Sequence, residues 1–155
     1  MEAVMGSTKK TAVLVAERGG EWSEWVEPLR DEVDDIAIVL QRAGETPSEL
    51  ATRVRERVGE LQLEGELVAA ALVGGDRWDP DTLSARSLMI RAIVSQMVPS
   101  SRGRLFLDGG ERVGRGRHAM QALAAVVEDQ VGGGVSVMTR RPAVQPAMAP
   151  AARAA

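Results

Sequence analysis

The chain has 155 residues, 45% of them hydrophobic and 26% charged, the composition of one globular domain with a sizeable core. It contains no cysteine and a single histidine, His118, which excludes disulfides, thiolate nucleophiles, cysteine-ligated zinc and any site built on two imidazoles. A net charge of −3 and an aromatic content of 3% argue against a nucleic-acid partner, which calls for basic surface and stacking platforms.

Residues 1–9 read as a flexible leader. Lys9 and Lys10 follow a mildly apolar stretch instead of preceding one, so no signal peptide is expected. No run approaches the ~18 apolar residues of a membrane span, and a cytoplasmic location is the expectation. The first apolar run, Thr11–Ala16, ends at Glu17-Arg18-Gly19-Gly20. Trp22, Trp25, Val26, Leu29 and Val33 then fall at helical spacing. Pro28 interrupts that stretch, and a helix starting near Glu27 accommodates it best, because a proline is tolerated in the first turn.

The second run is Ile36–Leu40. Thr46-Pro47-Ser48-Glu49 after it is a helix start, with an N-cap hydroxyl, proline at the first helical position and glutamate three residues past the cap. Leu50, Val54, Val58 and Leu61 mark the buried stripe, Glu49 and Arg53 are spaced as an i,i+4 pair, and Gly65 is the stop. A third run, Leu67–Val73, leads to Asp79-Pro80-Asp81, which opens a helix with Leu83, Ser87, Ile90, Val94 and Met97 inward, ended by Pro99. The fourth run, Leu105–Leu107, precedes a helix from about Arg117 to Val131, with Met120, Leu123, Val127 and Val131 inward and Gly132–Gly134 as stop. The fifth run is Val135–Met138; residues 142–155, with Pro142, Pro146 and Pro150, read as a disordered Pro/Ala-rich tail.

Nearly uninterrupted apolar strands alternating with amphipathic helices imply a mainly parallel sheet covered on both faces. The expected architecture is a single three-layer, Rossmann-like α/β domain over residues 10–141, with five strands in the order 3-2-1-4-5. The edge strand Val135–Met138 invites pairing with a second copy, so a homodimer is expected.

Ligands of such sheets bind beyond the carboxyl ends of the strands. The sequence delivers to that edge Glu17 and Arg18, Gly74 to Arg77, Asp108 to Arg112, and Thr139 to Arg141. The richest segment is Asp108 to His118. Its glycines Gly109, Gly110, Gly114 and Gly116 allow close backbone approach, Arg112, Arg115 and Arg117 supply forked cations, and a helix N-terminus follows. With Glu17, these residues form the candidate site for a small anionic ligand. No residue among them is assigned a catalytic role. An alternative is acidic: Glu17, Asp76 and Asp108 all close strands on one edge, as the ligands of a Mg²⁺ ion do.

The strand–helix order, Glu17 after strand one and the glycine loop after strand four resemble the universal stress protein family. The resemblance covers roughly Lys10 to Pro142 and implies a usually dimeric α/β fold with an adenine nucleotide as ligand. Glu17 matches the family's acidic position and Gly114 the second glycine of its Gly-x-x-Gly-x(9)-Gly-Ser/Thr loop. Glu111 stands in place of the first glycine and Ala124-Ala125 in place of Gly-Ser, so the hydroxyl is lost and nucleotide affinity should be weak. Three functions follow as expectations. The first is a non-catalytic regulatory or ligand-binding module resembling stress proteins. The second is a small Mg²⁺-dependent phosphotransferase or hydrolase using the strand-end carboxylates. The third is a structural adaptor without ligand.

Overall fold

In a computed structural model, which describes residues 9–75, 77, 79–97, 103–108, 115–131 and 135–138, the five apolar runs become five parallel strands. These are β1 (Lys10–Ala16), β2 (Asp35–Leu40), β3 (Glu66–Val73), β4 (Gly103–Asp108) and β5 (Val135–Met138), in one sheet of order β2-β1-β3-β4-β5. The α/β class and the parallel sheet are as the sequence implies; the strand order 3-2-1-4-5 is not. The burial of the strands accounts for the difference. From Ala69 to Val73 every residue of β3 is buried, which a strand achieves only when both its faces are covered. In β2, Ala37 and Val39 are buried while Ile38 and Leu40 are 40% and 37% exposed, so this strand has one dry face and belongs at an edge. β1, buried from Thr11 to Ala16, sits between them.

Because β1 steps to β2 on one side and β2 crosses back to β3 on the other, right-handed connections put the helices on opposite faces. α1 (Val26–Arg30) covers one face, following a 3-10 turn at Ser23–Trp25, and Trp25 of the turn and Leu29 of the helix pack on Ala12, Leu14, Ala69 and Ala71. The other face carries α2 (Pro47–Glu64), α3 (Pro80–Met97) and α4 (Arg115–Val131), packed over Val13, Val15, Ala70, Leu72, Leu105 and Leu107. Pro28 is the third residue of α1, inside the first turn, where its missing N–H has no intrahelical partner to lose.

The start of α2 follows its sequence signature. The Glu49 N–H donates to Thr46 Oγ1 at 3.1 Å, and the Thr46 N–H donates back to Glu49 Oε1 at 2.9 Å. Leu50, Val54, Val58 and Leu61 are buried, and Gly65 is the C-cap. Glu49 is therefore engaged at the cap, and Arg53 pairs instead with Glu45. In α3 the buried stripe runs through Thr82, Ala85, Arg86, Met89, Ile90, Ile93, Val94 and Met97, leaving Leu83 exposed. α4 begins two residues before the expected Arg117 and buries Met120, Ala124 and Val127. No helix among the described residues is long and apolar enough to cross a membrane. The expected leader up to Thr8 and the tail 142–155 lie outside the described residues.

Candidate ligand cavity at the strand ends

The crossover direction reverses between β1 and β3, and in an open α/β sheet that is where a ligand crevice forms. Here protein fills it. Arg86, reaching over from α3, donates from Nε to Glu17 Oε2 and from Nη2 to Glu17 Oε1, both at 2.6 Å. The Gly75 N–H donates to Glu17 Oε1 at 2.9 Å, and the Glu17 N–H to the Val73 carbonyl at 3.0 Å. Arg86 is fully buried and Glu17 is 7% exposed. The loops after β1 and β3 approach so closely that a Cβ on Gly75 would collide with the Arg18 carbonyl oxygen. Arg86 Nη2 also donates to the Arg77 carbonyl at 3.0 Å, fixing the backbone beyond β3.

Asp108 is placed differently. It aligns with Val73, and through it with Ala16, in a row that faces α1. The Trp25 Nε1–H donates to Asp108 Oδ2 at 2.9 Å, and the Asp108 carbonyl accepts from the Gly74 N–H at 2.7 Å. Glu17 and Asp108 thus share an edge but point to opposite faces of the sheet, and the fold does not bring their carboxylates together. Among the described residues no three acidic or histidine side chains are grouped to hold a metal ion. Asp76, the third member of that constellation, lies outside the described residues. So do Gly109, Gly110, Glu111, Arg112 and Gly114 of the expected anion loop. Arg115, Gly116, Arg117 and His118 are described only as backbone of α4.

Beside the filled crevice, toward β2, a cavity of about 550 Å³ opens between the N-terminal ends of α2 and α3. Leu50, Ala85 and Met89 supply its buried apolar wall, and the exposed Arg18 and Arg77 stand at its mouth. Its size lies within the range of small-molecule sites.

Local hydrogen bonds set the rim. The Arg18 N–H donates to Gln41 Oε1 at 2.9 Å, and Gln41 Nε2 donates to the Glu45 carbonyl at 2.9 Å, tying the loop after β1 to that after β2. Arg53 grips the Glu45 carboxylate from Nε at 2.7 Å and Nη2 at 2.8 Å, and this contact holds the Glu45 carboxyl below the usual carboxylate range. The Thr82 hydroxyl donates to Asp79 Oδ1 at 3.0 Å and is the main reason that the Asp79 carboxyl is also lowered; the Arg77 charge contributes less. The charge balance follows. Both carboxylates among the described lining residues, Glu17 and Glu45, are already matched by a two-pronged arginine. Arg18 and Arg77 make no ion pair with any described carboxylate, the Arg77 charge reaching Asp79 only at longer range, so the described residues of the mouth carry positive charge that no ion pair matches.

Of the residues the sequence places at this edge, Glu17, Arg18 and Arg77 reach the cavity. Gln41, Glu45 and Arg86 are not singled out by sequence reasoning, and Arg53 is read there as the partner of Glu49, where the structure pairs it with Glu45. For Arg86 a signal exists: it sits in register with Thr82, Met89 and Ile93, and an arginine on an apolar stripe demands a buried acid. Compared with known proteins, the chain matches no family model and no curated protein.

Proposed function

We propose that this chain is a non-catalytic ligand-binding module whose site is the cavity between the N-terminal ends of α2 and α3. The supporting observation is the cavity itself, with an apolar wall behind a polar mouth at the carboxyl edge of the sheet. The lining groups with chemistry to offer have structural duties. Glu17 and Glu45 are held by arginines, Thr46 Oγ1 accepts from a helix N–H, and the Thr82 hydroxyl donates to Asp79. A ligand seated there touches the loops after β1, β2 and β3 at once, which suits a regulatory role. The alternative of a Mg²⁺-dependent enzyme draws no support from Glu17 and Asp108, which face opposite sides of the sheet. The likeness to universal stress proteins rests on the strand–helix order, on Glu17 and on the glycine loop after β4, and of these Glu17 faces Arg86. Self-association through the edge strand β5 belongs to the same proposal, and sedimentation at micromolar concentration should then give a dimer.

A mixed library of metabolite-sized compounds, followed by backbone amide NMR on the full chain, tests the binding site. Ligands should move the amides of Gly19, Gly44, Leu50 and Ala85, and Ala85→Phe, which fills the cavity, should remove those shifts. A library without a single such hit leaves the adaptor as the surviving reading.

A further inference from the structure

Resting on that reading of the cavity as a ligand site, we infer that its ligand is a small organic anion. The carboxylate or phosphate monoester head is held by Arg18 and Arg77, and a hydrocarbon or aromatic body lies against Leu50, Ala85 and Met89. The charge balance carries the inference. Among the described lining residues a cationic ligand finds no carboxylate that is not already clasped, since Glu17 and Glu45 are each held by two guanidinium nitrogens at 2.6 to 2.8 Å. An anion finds two arginines whose backbones are already fixed, Arg18 through its N–H on Gln41 and Arg77 through its carbonyl on Arg86. Only their side chains remain to be ordered, which lowers the entropic cost of closing on a ligand. The planar fork of arginine matches the oxygens of a carboxylate or phosphate, and each such contact is charge-assisted.

The helix ends limit how much negative charge the site takes. At α2 the Glu49 N–H is used by Thr46, and at α3 the Thr82 N–H is used by Asp79 at 3.2 Å. The anion is thus left chiefly to two side chains, which suits one or two negative charges better than a polyphosphate. The buried Leu50, Ala85 and Met89 reward an apolar body in the remaining volume, because hydrocarbon placed against them leaves water.

Four probes that share one ring separate the possibilities: phenylacetate, phenyl phosphate, neutral phenylacetamide and cationic phenethylamine. Each is titrated into the full chain while the amides of Gly19, Gly44, Leu50 and Ala85 are followed by NMR. The expected result is that at least one anion binds about tenfold tighter than phenylacetamide, with phenethylamine the weakest. The tighter anion identifies the head group. In the double variant Arg18→Gln with Arg77→Gln, both exposed positions, the anions should fall to the affinity of the amide while the amide itself is unchanged. The single variant Arg77→Lys, which keeps the charge and loses the fork, should show an intermediate loss. Phenylacetamide binding as tightly as the anions at the same amides would overturn the anion assignment and leave the ligand-site reading standing. An equal loss for amide and anion in the double variant would also overturn it, since the arginines would then be shaping the cavity. No shift from any of the four at millimolar concentration would overturn the anion assignment, and the library screen then decides the ligand-site reading on its own.

Discussion

Arg86 of α3 and Glu17 at the end of β1 are 69 residues apart in sequence, yet they form a buried two-pronged ion pair with both contacts at 2.6 Å. The pair stands where the sheet changes direction, so it replaces a crevice with a strut that joins β1, the loop after β3 and α3. Removing one partner strands the other charge in the interior, and such a loss costs about 3–5 kcal/mol. Glu17→Gln and Arg86→Met should each lower the unfolding free energy by an amount of that order, read from the shift of the denaturant midpoint. The double variant should lose clearly less than the sum, because neither charge is then left behind. Additive losses in the double-mutant cycle would mean that the two side chains act independently.

Trp25 gives the second face its anchor. Its ring packs 4.9 Å from that of Phe106, centroid to centroid, and its Nε1–H donates to Asp108. Trp25→Phe keeps most of the apolar body but removes the donor to a buried carboxylate, which should cost about 1–3 kcal/mol. Equilibrium unfolding in urea, followed by far-UV circular dichroism, measures the loss. An unchanged midpoint would show that the Asp108 contact is dispensable.

Most of the secondary structure was legible because its determinants are local. Thr46, Pro47 and Glu49 announce the start of α2 within four residues, and Asp79 caps α3 where it precedes Pro80. Strand order was less legible, since it depends on which runs are buried on both faces, and an apolar run such as Ile36–Leu40 does not reveal its exposed alternates. The site was the least legible part. Glu45 looks like a loop glutamate until Arg53 folds back on it, and Glu17 looks like a free strand-end acid until α3 delivers Arg86. Both pairings are set by packing, and Arg86 would emerge only from reading the α3 stripe one position earlier than Leu83.

Glu45 makes the cavity rim sensitive to acid. Its carboxyl is lowered from the ordinary value of 4.5, chiefly by the hydrogen bond from Arg53, so the folded protein binds this proton less readily than the unfolded chain. The stability it contributes is therefore complete above the ordinary value and disappears as pH falls through the lowered one. Glu45→Gln should cost about 1 kcal/mol at neutral pH, given the solvent screening of a partly exposed pair. The gap between the variant and the parent should close as pH is taken below 4.5, the ordinary glutamate value. Stability curves at a series of pH values test this, and a gap constant down to pH 3 would assign the loss to something other than the ion pair.

Two glycines separate close approach from simple flexibility. At Gly75 an added methyl would meet the Arg18 carbonyl, so Gly75→Ala must push the loops after β1 and β3 apart. That movement strains the N–H contact with Glu17 and shifts the backbone that carries Arg77. Overpacking of this kind costs about 1–3 kcal/mol. Gly59 lies mid-helix in α2 with nothing within 4 Å of the added methyl. Gly59→Ala should stabilise the protein by about 0.5–1 kcal/mol, through the backbone entropy that glycine otherwise loses on folding. Thermal unfolding of the two single variants should then move in opposite directions. The amides of Gly19 and Gly44 should shift only in Gly75→Ala, because only that change reaches the mouth of the cavity. A stabilising Gly75→Ala would mean that the two loops have room to part, and that the filled crevice at the switch point can open.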